Sequence, residues 1–120
     1  MQVNKEELLG SYFDEALENL LKVLKIPSEQ GKSKQNAIFG KETREALEFT
    51  LNLAKNWGLK TYIEPQGYYG YFDYGSGEDM FLIAPHLDVV TTGNLAGWNN
   101  PPYEPIIKDN KIFTRWSTWW

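Results

Sequence analysis

The sequence predicts an α/β fold in which two helices pack on a mixed sheet. Two segments with apolar residues at three- and four-residue spacing occupy the first half of the chain. Three segments rich in β-branched and aromatic residues follow them, and the last of these is apolar on both faces. With 120 residues, 42% of them hydrophobic, the chain is long and apolar enough to form one domain with a core.

The first helix is predicted from Lys5 to about Leu24. Asn4 is placed to cap its N-terminus, and Glu7 follows three residues later as in a capping box. Pro27 should end the helix, because the residue before a proline is pushed out of the α region. The apolar stripe is formed by Leu9, Phe13, Ala16, Leu17, Leu20, Leu21 and Leu24.

The second helix is predicted from about Glu42 to Asn56, after a polar segment over residues 28–36 that we expect to be a surface loop. Gly58 suits the left-handed conformation that often closes a helix. Both helices have one apolar face, so both are expected to lie against other elements.

Three strands are expected next, at Lys60 to Ile63, Tyr68 to Tyr74 and Asp79 to Ala84. The loop from Gly75 to Glu78 would connect the last two as a hairpin. Because Met80 to Ala84 is apolar on both faces, it is predicted to be a central strand covered by helices on each side of the sheet.

The last part of the chain combines an irregular segment with a hairpin. Residues 98–105 contain too many prolines for regular structure. The stretch from Ile106 to Phe113 predicts a hairpin that turns at Asp109 and Asn110.

Composition excludes several classes of partner and chemistry. A net charge of −4 gives no basic surface for nucleic acid, and an anionic membrane surface is equally unsuited to this chain. Because there is no cysteine, disulfides and thiolates are excluded, and His, Asp and Glu remain as metal ligands. The polar, acidic first residues contain no apolar run of signal-peptide or membrane-spanning length, so a cytoplasmic location is expected.

The single histidine, His86, follows the apolar run and is separated from Asp88 by one residue. On an extended backbone the two side chains point to the same side, so the carboxylate can orient the imidazole or support a metal that the imidazole binds. His86 is therefore the candidate metal ligand, and Asp88 is the candidate catalytic residue. The simpler alternative is a histidine held by ordinary packing, since two residues do not make a zinc site.

The residues around this pair resemble the N-terminal metal-binding region of the M20 family of zinc metallopeptidases, in particular its bacterial dipeptidase branch. The agreement is distributed over His86-Leu87-Asp88-Val89-Val90, Gly93, Gly97-Trp98, Pro102-Tyr103-Glu104-Pro105 and Ile107-Lys108-Asp109-Asn110-Lys111-Ile112-Phe113. Weaker agreement upstream extends it over nearly the whole chain. The family pattern differs at Ala84-Pro85 and at Thr91-Thr92, where it usually has a small residue and a proline.

The resemblance implies that residues 1–120 are a truncated N-terminal portion of a three-layer aminopeptidase-like catalytic domain. It implies a hydrolase that holds two zinc ions and cleaves dipeptides or short peptides. In that family, the residue matching His86 binds one zinc. The residue matching Asp88 supports the site without binding the metal itself.

The resemblance stops after Phe113. The family continues with Gly-Arg-Gly, two variable residues and an aspartate that bridges both metals, whereas this chain has Thr114 to Trp120. Only Arg115 agrees, and Trp119 stands at the position of the bridging aspartate, where an indole cannot bind zinc. We therefore expect weak or absent zinc binding and no peptidase activity from this chain alone.

Two further hypotheses are compatible with the sequence. One is a binding or self-assembly module, in which copies associate through an exposed sheet edge or through Trp116, Trp119 and Trp120. The other is an active enzyme that a second polypeptide completes with the missing ligands.

Overall fold

The computed structural model describes residues 4–115, so Trp116, Trp119 and Trp120 lie outside the described residues. Helices and strands both occur, which confirms the α/β class. The element bounds are α1 Lys5–Val23, α2 Lys41–Asn56, β1 Lys60–Ile63, β2 Gly70–Asp73, β3 Ile106–Lys108 and β4 Lys111–Phe113. Within residues 4–115, no helix is long and apolar enough to cross a membrane.

The described residues divide into two compact units. Residues 26–93 form one unit and contain α2, β1 and β2. Residues 4–25 and 94–115 belong to the other, which contains α1, β3 and β4.

In the unit of residues 26–93, α2 packs against an antiparallel pair formed by β1 and β2. Its inward face buries Ala46, Leu51 and Ala54. Gly70 of β2 lies directly beneath the helix, and a Cβ atom at this position would stand 2.5 Å from Cδ1 of Leu51. A residue without a side chain is therefore needed in β2 for the helix to approach the strands this closely.

The C-terminus of α2 confirms the prediction for Gly58. This residue has a φ of 83°, and its N–H donates to the carbonyl of Lys55. The N–H of Leu59 donates to the carbonyl of Ala54 at 3.0 Å. The two bonds are those of a Schellman motif, and they satisfy carbonyls that the end of the helix would otherwise leave unpaired.

Arg44 joins three segments of this unit. Its Nη1 donates to the backbone carbonyls of Asn36 at 3.0 Å and of Glu64 and Pro65 at 3.4 Å each, while its Nε donates to Glu48 at 2.7 Å. One guanidinium thereby connects α2, the loop before it and the turn between β1 and β2.

The third predicted strand is wrong for the described residues. The segment Met80–Ile83 is unpaired, and the exposed fraction of these four residues lies between 72% and 89%. A central strand needs a hydrogen-bonded neighbour on both edges, but β1 pairs with β2 and β3 pairs with β4. The Gly75 to Glu78 hairpin and the single mixed sheet are consequently not formed, and both observed ladders are antiparallel within residues 4–115.

In the other unit, α1 begins where the sequence predicts. Oδ1 of Asn4 accepts hydrogen bonds from the N–H groups of Glu6 and Glu7 at 3.2 and 3.4 Å, which confirms the N-cap. The helix ends at Val23, four residues before Pro27. Its apolar face is not covered as expected, because α1 contains no buried residue and Leu9 is 71% exposed.

The hairpin of β3 and β4 is confirmed, and its turn lies at the predicted residues. Asp109 and Asn110 have φ angles of 51° and 58°, as both central residues of a type I′ turn require. The segment before the hairpin is irregular, as its prolines predict. It is tied to the end of β4 because the N–H of Arg115 donates to the carbonyl of Pro102 at 2.7 Å.

Candidate functional site

The candidate site lies on an irregular segment of the unit of residues 26–93. His86 and Asp88 are not at the end of a strand, and their side chains are 84% and 65% exposed. They do point to the same side, as their spacing predicts. Nδ1 of His86 lies 3.2 Å from Oδ1 of Asp88 and 3.1 Å from its backbone carbonyl oxygen.

This contact determines which ring nitrogen of His86 carries the hydrogen when the imidazole is neutral. A carbonyl oxygen and an ionised carboxylate can only accept hydrogen bonds, so Nδ1 must be the donor to Asp88. The lone pair of the neutral ring then lies on Nε2, on a largely exposed side chain. A histidine that binds a metal through one nitrogen usually donates from the other to an oxygen in this way.

The backbone that carries the pair is held by Ser28. Its Oγ donates to the carbonyl of Leu87 at 2.6 Å, and its own carbonyl accepts from the N–H of Val89 at 3.1 Å. Glu29 also forms an isolated parallel bridge with Val89. Residues 87 and 89 flank Asp88, so the Ser28 contacts fix the chain on both sides of it.

Sequence reasoning missed Ser28, which it placed at the start of a surface loop. The side chain is instead completely buried, with an exposed fraction of 0%. The sequence carries no clear signal for this burial: in the structure Ile26 and Ser28 alternate with exposed Lys25 and Pro27, as in an extended segment with one inward face. The polar character of Ser28 concealed that alternation.

The described residues do not complete a metal site. Within residues 4–115, no group of three or more His, Asp or Glu side chains is arranged to hold a metal ion. A structural or catalytic zinc needs at least three protein ligands, so His86 and Asp88 alone do not make such a site. Trp119, at the position expected for a bridging aspartate, lies outside the described residues.

Cavities elsewhere in the unit do not involve this pair. An open depression of about 350 Å³ is lined by residues of α2 and β1, among them Leu51 and Tyr62. Another, of about 420 Å³, is lined by residues 33–36 with Ile38 and Gln66. Neither contains His86 or Asp88, so neither is a substrate pocket for a reaction at that pair.

Comparisons with known proteins give a consistent set of relatives. A protein of Staphylococcus epidermidis named "Putative dipeptidase" is 35% identical over 113 residues, which cover 92% of this chain. Proteins with the same description from Staphylococcus saprophyticus and Staphylococcus aureus are 34% and 30% identical and cover 87% and 92% of the chain. The chain spans only 22% to 23% of the length of these relatives. No family model matches.

Proposed function

We propose that this chain is part of a zinc-dependent dipeptidase of the M20 type and that His86 is one of its metal ligands. One observation carries the proposal: Asp88 occupies Nδ1 of His86 and leaves Nε2 available for a metal. The similarity of nearly the whole chain to proteins named as dipeptidases supports the activity and the substrate class, which is short peptides. A cytoplasmic location belongs to the same proposal.

Residues 4–115 would contribute one coordination position. A pair of zinc ions would supply an activated water and stabilise the charge that develops on the peptide carbonyl. His86 would provide one nitrogen, and Asp88 would hold the ring in the orientation and tautomer that direct Nε2 outward. Because the other ligands of such a site are missing from residues 4–115, we propose that this chain alone binds zinc weakly and hydrolyses no peptide.

A chimeric enzyme tests the proposal. The aligned residues of the Staphylococcus epidermidis relative would be replaced by residues 1–113 of this chain, and hydrolysis of dipeptides would be measured with added Zn²⁺. We expect activity in the chimera and its loss in a His86→Ala variant. An Asp88→Ala variant should lose about 10- to 100-fold, which is typical when a residue that orients a ligand is removed.

Two outcomes would contradict the proposal. If the chimera folds and hydrolyses dipeptides equally well with and without His86, that residue is not a ligand. If the purified 120-residue chain hydrolyses dipeptides by itself, the proposed dependence on further residues is wrong. A Lys32→Ala variant, altered at an exposed residue of the same unit, serves as the matched control.

A further inference from the structure

We infer that Ser28 is a positioning residue for the proposed metal ligand: its two hydrogen bonds to the neighbours of Asp88 set the orientation of the His86 imidazole. The inference rests on the proposed function where it treats His86 as a ligand. It concerns residues 26–93 only, which form one compact unit.

The geometry around Ser28 supports a positioning role. The hydroxyl donates to Leu87 at 2.6 Å and the carbonyl accepts from Val89 at 3.1 Å, so the backbone is held immediately before and after Asp88. Both acceptor oxygens that face His86 belong to Asp88. A shift of the backbone at Asp88 would therefore move both oxygens away from Nδ1 together.

The contrast in burial strengthens the argument. Ser28 is 0% exposed, whereas the His86 side chain is 84% exposed. An imidazole with so little packing around it is not held by neighbouring side chains, and its orientation depends on the hydrogen bonds to Asp88. The backbone at Asp88 is thus held by a buried serine that lies 59 residues away from Leu87 in the chain.

Serine suits the position better than its near relatives. Alanine would remove the donor and leave the carbonyl of Leu87 without the hydroxyl. Cysteine would keep a side chain of similar shape but is only a weak donor. Threonine would keep the hydroxyl but add a methyl group where the side chain is completely buried.

The test reads the imidazole directly in the intact chain, without metal. Long-range ¹H–¹⁵N correlation spectra of a neutral imidazole, recorded at alkaline pH, distinguish hydrogen on Nδ1 from hydrogen on Nε2. Because His86 is the only histidine, the signals need no assignment. The native chain should show mainly the Nδ1–H form. In Ser28→Ala the ratio of the two forms should fall by roughly threefold to tenfold, as expected when one orienting hydrogen bond is lost.

Further variants separate positioning from simple loss of stability. Ser28→Thr, which keeps the hydroxyl, should give a ratio closer to the native one than Ser28→Ala does, and Ser28→Cys should give an intermediate value even if the alanine variant does not fold. Ser33→Ala, at an exposed serine of the same unit, should leave the ratio unchanged. Amide spectra would show that each variant is folded. If the folded alanine and cysteine variants keep the native ratio, Ser28 does not position His86.

Titration with Zn²⁺ distinguishes failure of this inference from failure of the proposed function. In the native chain Zn²⁺ should shift the Nε2 signal, and Ser28→Ala should weaken the apparent affinity by about 10- to 100-fold. A tautomer ratio that depends on Ser28 without any response to Zn²⁺ would contradict the metal site and leave the positioning role intact. A zinc response that is equal in the native and alanine chains would overturn the positioning role.

Discussion

The two helices have similar amphipathic patterns but different surroundings. The helix α2 buries Ala46, Leu51 and Ala54 against the hairpin of β1 and β2, whereas α1 contains no buried residue. An apolar stripe therefore predicts that a helix forms, and burial requires in addition a partner surface within reach. For α2 the partner is the strand pair that follows it in the chain, so its helical form is supported by packing. None of the described residues of α1 is buried, so packing supports this helix less.

Truncation of Leu51 should have the largest effect, because this side chain is 7% exposed and lies against β2. Leu51→Ala is expected to lower the free energy of unfolding by about 2–5 kcal/mol, the range for buried leucines. Leu9→Ala, at a position of α1 that is 71% exposed, should change it by less than about 0.5 kcal/mol. Urea unfolding followed by circular dichroism would measure the free energy of unfolding of both variants. Equal losses in the two variants would show that packing supports both helices to the same extent.

Removal of the α1 cap should have an intermediate effect. Asn4→Ala leaves the N–H groups of Glu6 and Glu7 without their acceptor and is expected to cost about 1 kcal/mol of helix stability. Because none of the described residues of α1 is buried, the loss should be seen as fraying of its first turn. Amide hydrogen exchange of residues 6–9 would detect it. Asn52→Ala, at an exposed position inside α2, should not accelerate exchange, since alanine favours a helix interior.

Charge introduced into the exposed segment Met80–Ile83 should barely alter stability. We expect Leu82→Lys with Ile83→Lys to change the free energy of unfolding by less than about 0.5 kcal/mol, because both residues are more than 70% exposed. The same change should reduce self-association, since an unpaired apolar segment without charge favours pairing with further copies. Sedimentation velocity at increasing concentration would show it. A loss of several kcal/mol would mean that the segment is buried after all.

The smallest effect concerns the exposed pair of Glu18 and Lys22 on α1. The hydrogen bond from Lys22 at 2.7 Å, together with its charge, lowers the pKa of Glu18 below its usual 4.5. The pair thus stabilises α1 above about pH 4.5, and this contribution is lost as the pH falls through the lowered pKa. Glu18→Gln should reduce helicity slightly at neutral pH and not at pH values where Glu18 is protonated. High salt should diminish the difference.

The features that sequence reasoning predicted correctly depend on residues close together in the chain. The cap at Asn4, the left-handed Gly58 and the turn at Asp109 and Asn110 each follow from local backbone preferences. The contact between His86 and Asp88 is of the same kind, because only Leu87 lies between them in the chain.

The features that it predicted wrongly depend on distant partners. The apolar composition of Met80–Ile83 favours a buried strand. Composition does not reveal whether another strand lies close enough to pair with this segment, and in the structure the segment is exposed. The burial of Ser28 could not be anticipated for the corresponding reason, since its partner Leu87 is remote in sequence. The fold class and the candidate pair could therefore be predicted, while the sheet and the support of the pair could not.

The three carbonyls that Arg44 joins are backbone groups, and this has a consequence for how the unit tolerates change. Any residue supplies the same carbonyl, so substitutions at Glu64 or Pro65 that preserve the backbone path keep these acceptors. No other side chain offers five donors in a fixed plane, so even lysine cannot reproduce the contacts of Arg44. Natural variants of this chain should accordingly change more freely at Pro65 than at Arg44, which should be nearly invariant.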